Sequence, residues 1–284
     1  MRAIPILMFM CIAATGCTYV NQRLNPISTP VEDRTLNQTR AGLDAAVAPV
    51  VPTSGDLNDL AIMPANHPGA PIPGPDPHAN GFFVGLALSG GGSRSANFSA
   101  ACMFQLQRLG LLQRVDYISS VSGGSLAAAY YCTATDAQWN IANVQRKLAH
   151  NFATDLIVQT LLPWNLFWVG VSDWDRSDIL ANSFRDHLFW RDGRELTFAD
   201  LRPDRPRLLI NATNLQSGKS FIFCNEIFDQ INSDLSKYPL AHAVAASSAV
   251  PVLLHQVTLR DFSTEFREYR HLIDGGVVDN LGVK

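Results

Sequence analysis

Phe82-Phe83-Val84-Gly85-Leu86-Ala87-Leu88-Ser89-Gly90-Gly91-Gly92-Ser93-Arg94 is the stretch on which the reading of this 284-residue chain turns. Residues 82–88 form a continuous apolar run, suited to a strand buried on both faces. Three glycines follow, and then a helical pattern runs from Ser95 to Leu109 and stops at Gly110. Val115–Val121 reads as a second strand, Ser122-Gly123-Gly124-Ser125 as a tight turn, and Leu126–Tyr131 as helix again. Strand, glycine loop, helix, strand, turn, helix is the grammar of a parallel sheet covered by helices. The order of elements therefore predicts an α/β fold.

Outward from this stretch, the chain divides into unlike regions. The hydrophobic share of 47% and charged share of 17% exclude a chain disordered throughout. Lys+Arg at 22 against Asp+Glu at 25 leaves no electrostatic footprint for nucleic acid. Ten of the 16 prolines fall between Pro26 and Pro77, so residues 17–80 read as an extended, Pro-rich tether. Part of it packing along the domain as an ordered arm is the alternative. Before it, residues 1–16 carry one Arg and an apolar run from Ile4 to Ala14, too short for a spanning helix of ~20 residues but fit for a signal peptide. Ala14-Thr15-Gly16-Cys17 resembles the lipobox of bacterial lipoproteins. That resemblance implies cleavage before Cys17, diacylglyceryl attachment to its sulfur, and acylation of its amine. Thr18 in place of Asp implies the outer membrane of the cell envelope, facing the periplasm or the cell surface. A plain signal peptide with an incidental cysteine is the simpler reading.

Three stretches of the domain, 81–284, carry chemistry. The glycine loop lacks the Lys-Ser/Thr of a nucleotide-binding loop, and its glycines do not fit a dinucleotide fingerprint. Glycines at a strand end also let backbone amides approach a developing oxyanion. Ser120-Val121-Ser122-Gly123-Gly124 reads as a nucleophile elbow, with Ser120 where glycine is usual. A small-residue loop with Ser122 as helix N-cap is the structural alternative. The third stretch is the strand-like Arg270-His271-Leu272-Ile273 running into Asp274-Gly275-Gly276. Only ten residues follow Asp274 and none is His, so a triad in the order Ser, acid, His cannot be built. A Ser–Asp dyad can.

GGGSR at 90–94, SVSGG at 120–124 and DGG at 274–276 resemble the patatin-like phospholipases in order and spacing. The small-residue segment Ala245–Pro251 and Asn280 match the same family. The resemblance implies a three-layer α/β/α fold with a mostly parallel central sheet. It implies a lipid acyl hydrolase of phospholipase A or lysophospholipase type, acting on phospholipid or another acyl ester through an acyl-enzyme. Ser122 is then the nucleophile and Asp274 its partner. Gly90, Gly91, Gly92, Arg94 and the amide of Gly123 form the oxyanion hole. No cofactor and no metal are implied, and the membrane is reached through a lipidated Cys17. A thioesterase or transacylase using the same dyad is one rival reading. A catalytically silent envelope lipoprotein that binds lipid or a partner is the other.

Remaining features read more plainly. Leu161–Gly170 packs Trp164, Phe167 and Trp168 together, either as core, as an acyl-pocket lining, or at a bilayer interface. Asp173, Asp175 and Asp178 lack calcium-loop spacing and read as a solvated face and helix cap. Cys102, Cys132 and Cys224 read as small buried hydrophobes, and His242 and His255 as structural. The chain stops soon after Asp274, where the family commonly continues, so the domain reads as minimal or cut short.

Overall fold

The computed structural model describes residues 25–28 and 83–283, apart from 166, 168–171, 173 and 265–267. Residues 1–16, Cys17 and all of the Pro-rich stretch but 25–28 lie outside the described residues. Strand β1 (Gly85–Leu88) leads through α1 (Gly92–Arg108) to β2 (Tyr117–Val121), and α2 (Gly123–Thr133) follows. Helices α3 (Ile141–Leu148), α4 (Phe152–Leu161) and α5 (Arg176–Leu188) come next. A small ribbon of β3 (Trp190–Arg191) and β4 (Arg194–Glu195) then precedes β5 (Arg207–Asn214). Strand β6 (Lys219–Phe223), helices α6 (Asn225–Gln230) and α7 (Leu240–Ser247), and strands β7 (Val257–Asp261) and β8 (Glu268–Asp274) complete the order.

The main sheet runs β1-β2-β5-β8-β7, with β6 paired to β5. Its core, β1-β2-β5, is parallel, while β6 and β8 run antiparallel to β5 and β7 antiparallel to β8. Helices flank it, giving the α/β/α layering. In β5 every residue from Leu208 to Asn214 is buried, the apolar Leu208, Leu209, Ile210 and Ala212 together with the polar Asn211, Thr213 and Asn214. β1 departs from the sequence expectation. It is the terminal strand of the sheet, and of its four residues only Leu88 is buried. A terminal strand has a neighbour on one side only, so an apolar sequence does not by itself enclose it.

Helices α2 and α7 are buried at every position, which their small residues permit. A helix apolar on all sides belongs inside the protein, and Ala and Gly let the backbones approach. Phe223, Phe228 and Tyr238 form a ring cluster with centroids 5.5–5.8 Å apart. Full burial of each phenylalanine contributes ~1.5–3 kcal/mol. Asp175 and Asp178 form a reciprocal capping box on α5 and are buried, so the cap is present but the face is not solvated. Asp173 lies outside the described residues. Burial pushes the Cys132 and Cys224 thiols up to about 12, which keeps both protonated at neutral pH.

Candidate active site

The two ends that matter meet on β5. Val121, the last residue of β2, sits opposite Asn211, and Asp274, the last residue of β8, sits opposite the next residue, Ala212. Strand β6 occupies the other edge of β5 from Ile210 to Asn214, so β2 and β8 must share one edge. They run in opposite directions, and their C-terminal ends therefore abut. This register brings together two residues 152 positions apart in sequence, Ser122 and Asp274. The Ser122 hydroxyl lies close enough to the Asp274 carboxylate to favour its charged form.

Ser122 adopts φ 49°, ψ −121°, between strand β2 and the N-terminus of α2. A non-glycine residue with positive φ costs ~1–3 kcal/mol and persists only where its surroundings hold it. Here the hold comes from α7. The Ser122 amide donates to Ser247 Oγ at 2.8 Å, and Ser247 Oγ in turn donates to the Asn211 carbonyl at 2.6 Å. Ser125 Oγ lies 3.2 Å from the same oxygen. Ser122 occupies the N-cap position of α2, yet its side chain makes no capping bond.

The departure at Ser120 is accommodated by direction. Its side chain is fully buried and donates to the Leu209 carbonyl at 3.2 Å, toward β5 and out of the turn. Asn211 supports the same segment, donating to Ser119 Oγ at 2.8 Å and to the Ser120 carbonyl at 3.0 Å.

Glycines make the close approaches. A Cβ on Gly123 would lie 2.0 Å from the Gly92 carbonyl oxygen, and one on Gly124 would lie 2.6 Å from that of Leu88. The glycine loop is thus pressed onto the first turn of α2. Gly90 lies beside the nucleophile, its Cβ position 3.3 Å from Ser122 Cβ. Its amide, however, donates to the Asn280 carbonyl at 2.9 Å, so Gly90 serves by size and not as an oxyanion donor. The amides of Gly91, Gly92 and Gly123 have no acceptor among the described residues. Arg94 is exposed on the first turn of α1 and makes no ion pair among the described residues.

Asp274 is buried, and burial pushes its carboxyl above the usual carboxylate range. The hydrogen bond from the Gly276 amide, at 2.6 Å to Oδ1, and the nearby Ser122 hydroxyl pull the other way. Removal from water destabilises the charged form, which makes the carboxylate a stronger base. Its own amide donates to the Ala249 carbonyl at 2.9 Å, and Thr213 Oγ1 donates to its carbonyl at 2.9 Å. Both glycines after it are required by space: a Cβ on Gly275 would lie 2.4 Å from the Asn211 carbonyl oxygen, and one on Gly276 2.8 Å from Asn280 Oδ1. Asp279 accepts from the Leu281 and Val283 amides, which makes it a turn residue.

Sequence reasoning missed Ser247, Asn211 and Thr213. The small-residue segment Ala245–Pro251 was visible, but nothing local distinguishes a serine that caps a distant amide from one that is merely small. Of the aromatic stretch, Trp164 and Phe167 are exposed and lie 6.3 Å apart, so they are not core; Trp168 lies outside the described residues.

The elbow, the glycine loop and the buried aspartate lie together on an α/β/α fold. A patatin-like phospholipase family model matches residues 86–284, and the chain belongs to that family. No curated protein matches the chain. Among solved structures it resembles VipD from Legionella pneumophila at 17% identity and TM-score 0.37, covering 70% of this chain and 46% of that one. Human GIVD cytosolic phospholipase A2 in complex with methyl gamma-linolenyl fluorophosphonate matches at 20% identity and TM-score 0.33, covering 49% of this chain and 22% of that one. A structure of SpcU in complex with ExoU from Pseudomonas aeruginosa matches at 16% identity and TM-score 0.34, covering 60% and 39%. The chain spans less than half the length of each of these.

Proposed function

We propose that the chain is a lipid acyl hydrolase of phospholipase A or lysophospholipase type, working through a Ser122–Asp274 dyad. The observation that carries this reading is the strained Ser122, set by strand register beside a buried aspartate whose carboxyl is held above its usual range. In the first step Asp274 takes the proton of Ser122 Oγ as that oxygen attacks the ester carbonyl. Negative charge develops on the carbonyl oxygen, and the amides of Gly91, Gly92 and Gly123 stabilise it together with the N-terminus of α2. One such donor is worth ~2.7–4 kcal/mol of barrier. The lysolipid or alcohol leaves with the proton from Asp274, and water activated by Asp274 then releases the fatty acid.

Exposed apolar residues support an apolar substrate. The turn that follows Ala249, whose carbonyl holds the Asp274 amide, exposes Val250, Val252 and Leu253, with Val252 92% exposed. Lipid anchoring through Cys17 belongs to the same proposal. Among the described residues no helix is long and apolar enough to cross a membrane. The test is labelling with an alkyl fluorophosphonate, beside lipid-class hydrolysis assays. Wild-type protein is expected to label and to release fatty acid, and Ser122→Ala to do neither. An unlabelled, inactive wild type would instead favour the silent lipid-binding reading.

A further inference from the structure

We propose a divalent transition-metal site, of the zinc class, formed by His150, Asp155 and His187 and distinct from the dyad and the glycine loop. The sequence contains no zinc motif, because the three residues come from the loop after α3, from α4, and from the end of α5. The fold brings one ligand atom of each to within 4.8 Å of the others.

Three observations point to a cation. First, His150 Nε2 is buried and has no hydrogen-bond partner. It lies 3.6 Å from Asp155 Oδ2, too long for a hydrogen bond. Two ligands sharing a tetrahedral zinc at ~2.0–2.1 Å stand ~3.4 Å apart, close to that separation. Second, His187 Nδ1 lies 2.9 Å from the Ser183 carbonyl, so that nitrogen carries the proton and Nε2 presents a lone pair. Third, the Ser183 hydroxyl donates to the Asp155 carboxylate. One residue thus orients two of the ligands, in the manner by which outer groups fix metal-binding His and Asp.

The imidazoles of His150 and His187 are stacked with centroids 3.6 Å apart, and the Phe152 ring packs edge-on to both at 4.8 and 5.9 Å. All three residues are half-buried, which leaves a coordination position open to water. Two imidazoles and a carboxylate suit zinc better than calcium or magnesium, which take oxygen ligands. The site ties α4, with exposed Ile157, Val158 and Leu161, to α5.

The experiment is calorimetric titration of chelator-treated protein with Zn2+, together with X-ray absorption of the zinc-loaded wild type. One equivalent should bind at micromolar affinity or tighter, with two imidazoles in the coordination shell. His187→Ala and Asp155→Asn should each weaken binding at least tenfold. Ser183→Ala, which keeps all three ligands, should weaken it by a smaller factor, and a thermal melt checks that each variant is folded. Absence of a saturable one-equivalent event overturns the proposal. So does a zinc shell without imidazole, or tight binding that survives in both ligand variants. None of these readouts depends on ester hydrolysis.

Discussion

Asp274 couples stability to activity at a single residue. Its burial disfavours the carboxylate, so the folded state holds the proton more tightly than the unfolded chain, where the value is ~3.9. The contribution to stability is therefore full below that unfolded value and is lost as pH rises through the raised folded one. At neutral pH the ionised side chain costs stability, and the same desolvation makes it a better base for Ser122. Asp274→Asn, which keeps an oxygen for the Gly276 amide, should abolish hydrolysis and raise the melting temperature at pH 7. The gain should fade as pH drops toward 4. Melting curves of both proteins across this range check it, and a lower midpoint at pH 7 would show that the ionised pair is stabilising. The acid limb of kcat/KM should likewise lie above the ordinary carboxylate range, because Asp274 must be ionised to accept the proton. Part of this residue's role is readable locally, since two glycines after an aspartate announce a tight turn. The burial that sets its basicity is not, because it depends on β5, Ser122 and Ala249.

At the scale of elements, the site is a junction of strand ends and helices. β2 and β8 abut on one edge of β5, and α7 locks the junction through Ser247. Removing the Ser247 hydroxyl leaves the Ser122 amide and the Asn211 carbonyl without this shared partner in a dry interior. Ser247→Ala should lower stability by ~1–3 kcal/mol. As a positioning residue it should also lower kcat by tenfold or more with KM changed little, since it holds the elbow and does not line the substrate. Denaturant melts and steady-state kinetics on one ester substrate separate these effects; an unchanged kcat would reduce Ser247 to a structural role. Helices α1 and α2 and the strands around them were legible from periodicity and glycine punctuation. Their bounds shifted, α1 starting at Gly92 and α2 at Gly123, because helix ends follow the loop geometry and not the apolar pattern. β1 was misjudged in burial, because an apolar run does not say whether a strand is central or terminal.

At the scale of the whole molecule, the short segment 25–28 changes the meaning of the Pro-rich region. Asn25 is buried and donates to Ser233 Oγ at 2.8 Å and to the Arg260 carbonyl at 3.0 Å, while its Oδ1 accepts from the Arg260 amide at 2.6 Å. Ile27 bridges Ser233 in antiparallel fashion. This part of the stretch is an ordered arm. Cys17 and Asn25 are eight Cα–Cα steps apart, with seven residues between them. Fully extended, they span at most ~29 Å. A lipidated Cys17 would then hold the domain close to the bilayer instead of letting it stand far off. Asn25→Ala should cost ~1–3 kcal/mol of arm attachment and expose residues near 28 to proteolysis, with kcat unchanged. Limited proteolysis with mass analysis checks it; identical cleavage in both proteins would show that the arm is held by something other than Asn25.

What the sequence by itself determined is the chemistry on offer and the class of fold. Glycine runs, the elbow and the terminal DGG are local patterns whose meaning rests on sterics at a few adjacent residues, and such constraints are written where they act. Only the tertiary structure decided which groups meet. Strand register set Ser122 against Asp274, and the burial of a helix made Ser247 a prop for the elbow. The amide of Gly90 went to Asn280, and two histidines and an aspartate from three separate elements came to face one another. Hydrogen bonding and desolvation act over a few ångströms in space, and residues far apart in the chain become neighbours only when it folds.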